Sequence, residues 1–439
     1  MTDALEIAPE DIMANQFGET NAVALGIGAE TTYATFPSGN LAALRYTGES
    51  FGQQQNATVS GEIRTDGQVP DLIRTGVSAQ GGYNGEISYG VLSWENALRS
   101  LLGAAAVFGT PPARETGAIQ AIASSNSLVS DSTGAGPSFT DLAQGDWIRT
   151  TGFTAAANNG YAQIASKNTS VNTAHTIVLR WLTLADEAAA AGRGVQGSAV
   201  VRNGTTCTSF SVEKQWTDLN SGNGFAARIL GYLFGSCQLN LTPEAIATFA
   251  FTGQGRNVTD TTGVDFSDAS AAVDFATLAT LTAAATNDVM NTVDGITDGQ
   301  IIVNRAAPFS GITFQSLQVT PTRALRRQSG LNASLGGAGV GWGRLSIPGS
   351  ATAYFQDVQL LTAHLRYTET DLAVVIKDGA NNAYLVDLPA IKFGGDGIPK
   401  AGGLDQGAVI NLDIGAKLTQ GNLASGSYMI GVHKFVAPS

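Results

Sequence analysis

Cysteine is nearly absent from this chain: two residues in 439, Cys207 and Cys237, and no C-x-x-C pair. That excludes a disulfide framework and a thiolate site for zinc or redox work. The two thiols read as small buried hydrophobes, a single disulfide being the other reading. Histidine is almost as scarce. His175, His364 and His433 stand far apart with no H-x-x-x-H spacing, and each reads as a surface or satisfied structural residue, because a catalytic base needs a nucleophile and an orienting partner. Charged residues make up only 14%, against about 25% in average globular chains, so part of the surface is expected to be covered by neighbouring subunits. The net charge is -12, which argues against gripping nucleic acid, since cationic contacts to phosphate supply most of that affinity. No apolar run approaches the ~18 residues of a membrane helix. The opening MTDALEIAPEDIMANQFGE is acidic where a secretion signal is basic and then apolar.

Catalytic motifs are missing too. There is no G-x-x-x-x-G-K-[ST] loop and no nucleophile elbow. Gly336–Gly343 is glycine-rich but misses the G-x-G-x-x-G spacing and leads into a strand, so no helix N-terminus awaits a pyrophosphate. Asp294-Gly295 and Asp298-Gly299 read as turns, without the spacing of a calcium loop. No catalytic residue, cofactor or metal is expected.

What is present is glycine, 53 residues, and long period-two alternation. Residues 59–66 alternate and end at the turn Asp66-Gly67; Ser60, Glu62, Arg64 and Asp66 share the polar side. Residues 75–90 continue the rule. Ser78, Gln80, Asn84, Glu86 and Ser88 fall on one face and Val77, Tyr83, Ile87 and Tyr89 on the other. Sixteen residues of strand run roughly 50 Å, far beyond a typical strand, with Gly81-Gly82 or Gly85 as sites for a bulge or bend. Ser93–Leu102 reads as a helix, Trp94 and Leu98 on its apolar side and Gly103 as its stop.

Four regions follow: an irregular arm, 1–40; a β domain over 41–124 with part of 186–200; an inserted small β module, 125–185; and a second β region, 201–439. The module shows strands near 146–153, 158–166 and 175–182, and 186–194 reads as a linker or short helix. In the second region 209–218 alternates again, with Ser211, Glu213 and Gln215 on the polar side. Residues 311–319, 335–349 and 353–365 repeat the order strand, glycine-rich strand, helix, which reads as a diverged duplication. Residues 266–293 read as partly helical, and 372–389 as a hairpin turned at Asp378-Gly379. Arg323, Arg326 and Arg327 form the cationic cluster of the sequence; they read as an intersubunit contact or as a solvated loop, the first favoured because charge is sparse elsewhere.

Several runs carry a family resemblance. Glu62-Ile63-Arg64-Thr65-Asp66-Gly67-Gln68, Asp71-Leu72-Ile73 and Glu86-Ile87-Ser88-Tyr89-Gly90 come in sequence, followed by GDWIRTTGF (145–153) with NNGY (158–161), RNGTTCTSFSVEKQWTDL (202–219) and AYLVDLPAIKF (383–393). This series resembles the major tail tube proteins of long-tailed, non-contractile bacteriophages; Gly67 departs from it, standing where a larger, often basic residue is usual. The resemblance implies a mainly β fold, with duplicated tail-tube β-sandwich or barrel domains, short flanking helices and the inserted module. It also implies a structural role in the virion. Chains assembled in the host cytoplasm would form rings, the rings would stack, and DNA would pass through the lumen without specific binding, in company with a tape-measure protein and tail-end proteins. On this reading Ser60, Glu62, Arg64, Asp66, Ser78, Gln80, Asn84, Glu86, Ser88, Ser211, Glu213 and Gln215 face a polar, acidic lumen. Two copies per chain favour three chains per ring with pseudo-sixfold symmetry over six. The alternatives are an outer-membrane porin-like barrel and a β-rich adhesin or carbohydrate-binding protein.

Overall fold

A computed structural model describes residues 20–130, 136–169, 174–217, 224–262, 274–275, 277–292, 301–303, 309, 312–331, 336–356, 358–399, 407–419 and 427–438. The long alternating run becomes one strand, Leu72–Glu86, fifteen residues in length. It pairs with Gly52–Val59 on one side and along Thr248–Gly255 on the other. The first of these is shorter than the pattern predicts: the strand stops at Val59, and 60–66 is an exposed irregular tip. The register against Thr248–Gly255 is unbroken through Gly81 and Gly82. The register shift lies against the other partner, between Asn56 and Ala57, where Thr75 is the extra residue. Gly81 takes φ 136°, and a Cβ on Gly82 would stand 1.8 Å from the Phe251 carbonyl oxygen, so both sites need glycine.

From this hairpin the sheet continues antiparallel. Thr248–Gly255 pairs with the seventeen-residue Phe225–Leu241, which pairs with Phe314–Val319 and Thr322–Gln328. These pair with Pro348–Tyr354 and Gly339–Ser346, and Pro348–Tyr354 with Val409–Ala416, which meets the last residues of Ala383–Gly394. A second hairpin, Thr322–Gln328 with Gly339–Ser346, is thus followed by the helix Val358–Leu365. The first hairpin is followed by the helix Leu92–Leu102, ended by Gly103 in the left-handed conformation at φ 71°.

Behind this sheet lies one core. Tyr83, Phe234, Phe249 and Phe251 pack ring against ring, together with Trp94, Leu98 and Leu101 of the first helix. Its far wall is a second sheet of Thr370–Lys377, the first part of Ala383–Gly394, Gly431–Phe435 and Ala199–Arg202. Even positions of this wall (Leu372, Val374, Tyr384, Leu388) join the core. Odd ones (Ala373, Val375, Ala383, Leu385) face away from it and pack against Trp147, Tyr161 and Trp181.

Those aromatics belong to a closed six-stranded barrel: Glu115–Ile122, Ser127–Ser130, Trp147–Thr151, Gly160–Asn168, His175–Arg180 and Glu187–Gly197. It is wider in sequence than the expected 125–185. Glu187–Gly197 is a strand and not a linker or helix: pairing with Glu115–Ile122 and Trp147–Thr151 outweighs the helix preference of its alanine run. The N-terminal arm is also corrected. Val23–Ala29 pairs residue for residue with Phe210–Trp216. In the stretch expected to be partly helical, 277–291 holds no helix and carries the short strand Leu281–Thr282, and 263–273 and 293–300, with both Asp-Gly pairs, lie outside the described residues.

Candidate assembly surface

The front sheet has one face on the core and one open. Register places one row of open-face residues straight across it: Glu86, Thr248, Asn240, Gln318, Ser350 and Asp413. Beside it run Asn84 and Gln238, then Thr252, Ser236, Thr322 and Ser346. The alternate residues (Tyr83, Phe249, Leu239, Leu317, Ala351, Leu412) are buried. Neighbours on the open face bond to one another: Gln80 Nε2 donates to Gln54 Oε1 at 3.2 Å, Gln318 Nε2 to Asn240 Oδ1 at 2.9 Å, and Thr352 Oγ1 to Asn411 Oδ1 at 2.9 Å.

The sequence-predicted positions divide. Gln80 and Asn84 are exposed on this face, and Glu86 is half-exposed. Ser60, Glu62, Arg64 and Asp66 sit on the solvent-exposed or half-exposed tip of the first hairpin, off the sheet, where Arg64 and Asp66 pair at 2.9 Å. That tip also exposes Val59, Ile63, Val69, Leu72 and Ile73. Ser78 is buried where Asn257–Thr259 packs against the hairpin, and Ser88 is buried beyond the strand's end, bridged to Val289.

Ser211, Glu213 and Gln215 contradict the expectation of an open face: all three are buried. The N-terminal segment covers Ser211, while Ala279 lies against the other two, its carbonyl accepting from Gln215 Nε2 at 2.8 Å and its amide donating to Glu213 at 2.7 Å. Glu30 receives hydrogen bonds from Ser209 Oγ (2.6 Å), Ser211 Oγ (2.8 Å) and the amides of Ala34 and Gly231 (2.8 Å each). Glu213 is wholly enclosed and pairs with Arg228 at 2.6 Å, beneath the ring of Phe36. A buried carboxylate survives only with such partners.

The arginine cluster also comes apart. Arg323 is buried and intramolecular: it donates to the Leu101 and Leu102 carbonyls at 2.6 and 2.9 Å, satisfying the end of the first helix, and stacks 3.5 Å from Trp342. Burial pulls its pKa down to about 10. Arg327 is half-buried with its guanidinium against Gly76 of the first hairpin, and Arg326 is exposed. Cys207 is exposed, not buried; Cys237 is buried, and neither forms a disulfide. His433 is buried between the second sheet and the barrel and hydrogen-bonded to Ser198 Oγ at 2.8 Å. The barrel is held there by Trp147 Nε1 donating to the buried Asp387, which also accepts from Tyr428 Oη, and by Arg149 donating to the Asn381 carbonyl.

Sequence reading missed Thr248, Asn240, Gln318, Ser350, Asn411 and Asp413. The signal was there as short alternations, Ser236-x-Gln238-x-Asn240, Ser350-x-Thr352 and Asn411-x-Asp413.

A family model described as phage tail tube protein matches residues 20–416. The chain belongs to the phage tail tube protein family. The match takes in the front sheet, the core, the second hairpin and the barrel. No individual curated protein matches the chain. This is a structural family and not an enzyme family, and membership implies homo-oligomeric assembly in the virion tail.

Proposed function

We propose that copies of this chain close into rings whose front sheets form one continuous wall, that the rings stack into the tail tube of a long-tailed, non-contractile phage, and that the open face lines the lumen through which the genome leaves. The carrying observation is the row from Glu86 to Asp413: one polar face crossing two hairpin units without interruption, with the whole core behind it. Among the described residues, the outer edge of Gly52–Val59 and that of Val409–Leu412 have no strand partner, and these are the borders to be joined between copies.

The wall is eight strand positions wide, counting the end of Ala383–Gly394. At about 4.8 Å per strand and a usual barrel tilt of 35–45°, three chains close at about 45–52 Å between backbones. Side chains narrow that to a bore suited to one DNA duplex; six chains would double the diameter. Three chains per ring is therefore the reading adopted. The barrel docks on the second sheet, on the side of the core away from the open face, so it projects from the outside of the tube. The apolar first-hairpin tip is a surface for the next ring, and the tape-measure and tail-end proteins are the remaining partners, assembly taking place in the host cytoplasm. An outer-membrane barrel would need an apolar belt on its outward side, whereas that side here carries the docked six-stranded barrel.

Negative-stain microscopy of the purified protein tests this reading: hollow rings or tubes are expected, with a native mass per ring of three chains. Monodisperse monomers without a central opening would refute it.

A further inference from the structure

The sequence reading expects an acidic lumen, but the rows that cross the front sheet are almost neutral; the exposed Arg326 and Arg344 stand beyond them on the second hairpin. Along the rows that cross the front sheet, the described carboxylates are Glu86 and Asp413, at opposite ends of one row, and no lysine or arginine stands between them. The groups between are amides and hydroxyls, and their donors are turned on one another. Gln238 Nε2 and Gln318 Nε2 converge on Asn240 Oδ1 at 3.1 and 2.9 Å. Ser350 Oγ donates to Gln318 Oε1 at 3.5 Å, and the hydroxyls of Ser236 and Thr252 bond each other at 2.6 Å. Gln80 and Thr352 are engaged by Gln54 and Asn411 in the same way.

We infer that this face is a phosphate-indifferent track for duplex DNA, made non-adhesive by a self-bonded lattice of amides and hydroxyls and not by a wall of negative charge. The inference rests on the lumen reading above. A phosphate oxygen is held by cations or by N–H and O–H donors, and binding to cations is driven by release of counterions. Along these rows the cations are missing, and each lattice bond occupies a donor hydrogen that a phosphate would otherwise accept. The same bonds pin the long Gln side chains across strands, so the polymer meets a wall of fixed height with a hydration layer over it.

The test uses assembled tubes of three kinds: wild type, Gln238→Lys with Gln318→Lys, and Gln238→Glu with Gln318→Glu. A short fluorescent duplex is added and its co-sedimentation measured at low and high salt. Wild-type and Glu tubes are expected to retain equally little duplex at both. Lys tubes are expected to hold about tenfold more at low salt and to release it as salt rises, the logarithmic slope steepening by about 0.9 per phosphate neutralised. Salt-dependent retention by wild-type tubes overturns the inference. So do Glu tubes retaining clearly less than wild type, which would mean that charge and not the lattice sets adhesion, and Lys tubes holding no more than wild type. Should the double-lysine chain not form tubes, Ser350→Lys, at an exposed position, serves the same comparison.

A separate readout isolates the lumen reading. Gln238→Cys, made together with Cys207→Ser to remove the exposed native thiol, is expected in assembled tubes to react with a small maleimide but not with one carried on a large protein. Free reaction with the large reagent would place the face outside and refute the lumen reading itself; shielding together with DNA-indifferent Lys tubes would refute only the lattice.

Discussion

Two strands of this protein carry the same alternating pattern and end in opposite environments. In Leu72–Glu86 the polar residues Gln80 and Asn84 look outward from the front sheet. In Phe210–Trp216 the polar residues Ser211, Glu213 and Gln215 are shut beneath the N-terminal segment and the segment at Ala279. Period two fixes which residues share a face. It does not say what lies on top of that face. The covered strand differs in one legible respect: its polar side holds a carboxylate whose cation, Arg228, comes from the next strand, so the charge is neutralised inside the fold. The open strand carries uncharged amides that need no such partner.

If that contrast is right, substitutions on the two strands must separate widely. The largest effect is expected at Glu213→Ala, which strands the Arg228 guanidinium in the interior and should cost about 3–5 kcal/mol in denaturant unfolding. A loss under 1 kcal/mol would mean that the polar side of Phe210–Trp216 is open after all. Next is Glu30→Ala. It leaves two hydroxyls and two backbone amides without their acceptor and should cost about 2 kcal/mol, while loosening protease-sensitive sites in the N-terminal segment.

His433 extends the comparison to a strand covered by the barrel. Burial first, and the neighbouring Arg202 second, hold its pKa well below the ordinary 6.5. The unfolded chain takes up a proton near that pH while the folded one does not, so stability is full above about pH 6.5 and falls as pH drops below it, by up to about 1.4 kcal/mol per pH unit. Melting temperatures between pH 7.5 and 5 should show this slope, and His433→Asn, which keeps a partner for Ser198, should flatten it. The smallest effects belong to the open face: Gln80→Ala and Asn84→Ala should each shift unfolding by no more than about 0.5 kcal/mol. A loss as large as that of Glu213→Ala would abolish the distinction between the two strands.

The front hairpin and the first helix were largely readable in advance, because strong alternation, a terminal glycine and an apolar helical stripe all act over short range. Half of the barrel was not. Glu115–Ile122 and Glu187–Gly197 hold each other through pairings broken by two register shifts, and neither has the β-branched, evenly alternating texture that marks a strand alone. Arg323 misled for a related reason. Three nearby arginines look like one exposed patch, but alternation along Thr322–Gln328 sends Arg323 inward to the carbonyls of a helix more than two hundred residues away in the chain.

Composition and local pattern were thus enough to settle a β protein with a polar-faced hairpin and few charges, since those properties depend on residue types and on neighbours along the chain. Only the tertiary structure decided which polar faces stay open, that the barrel stands behind the core and not beside the open face, and that the open row runs from Glu86 to Asp413. Those outcomes depend on pairing between distant segments, and the free energy of covering a face belongs to the segment that arrives as much as to the one that receives it.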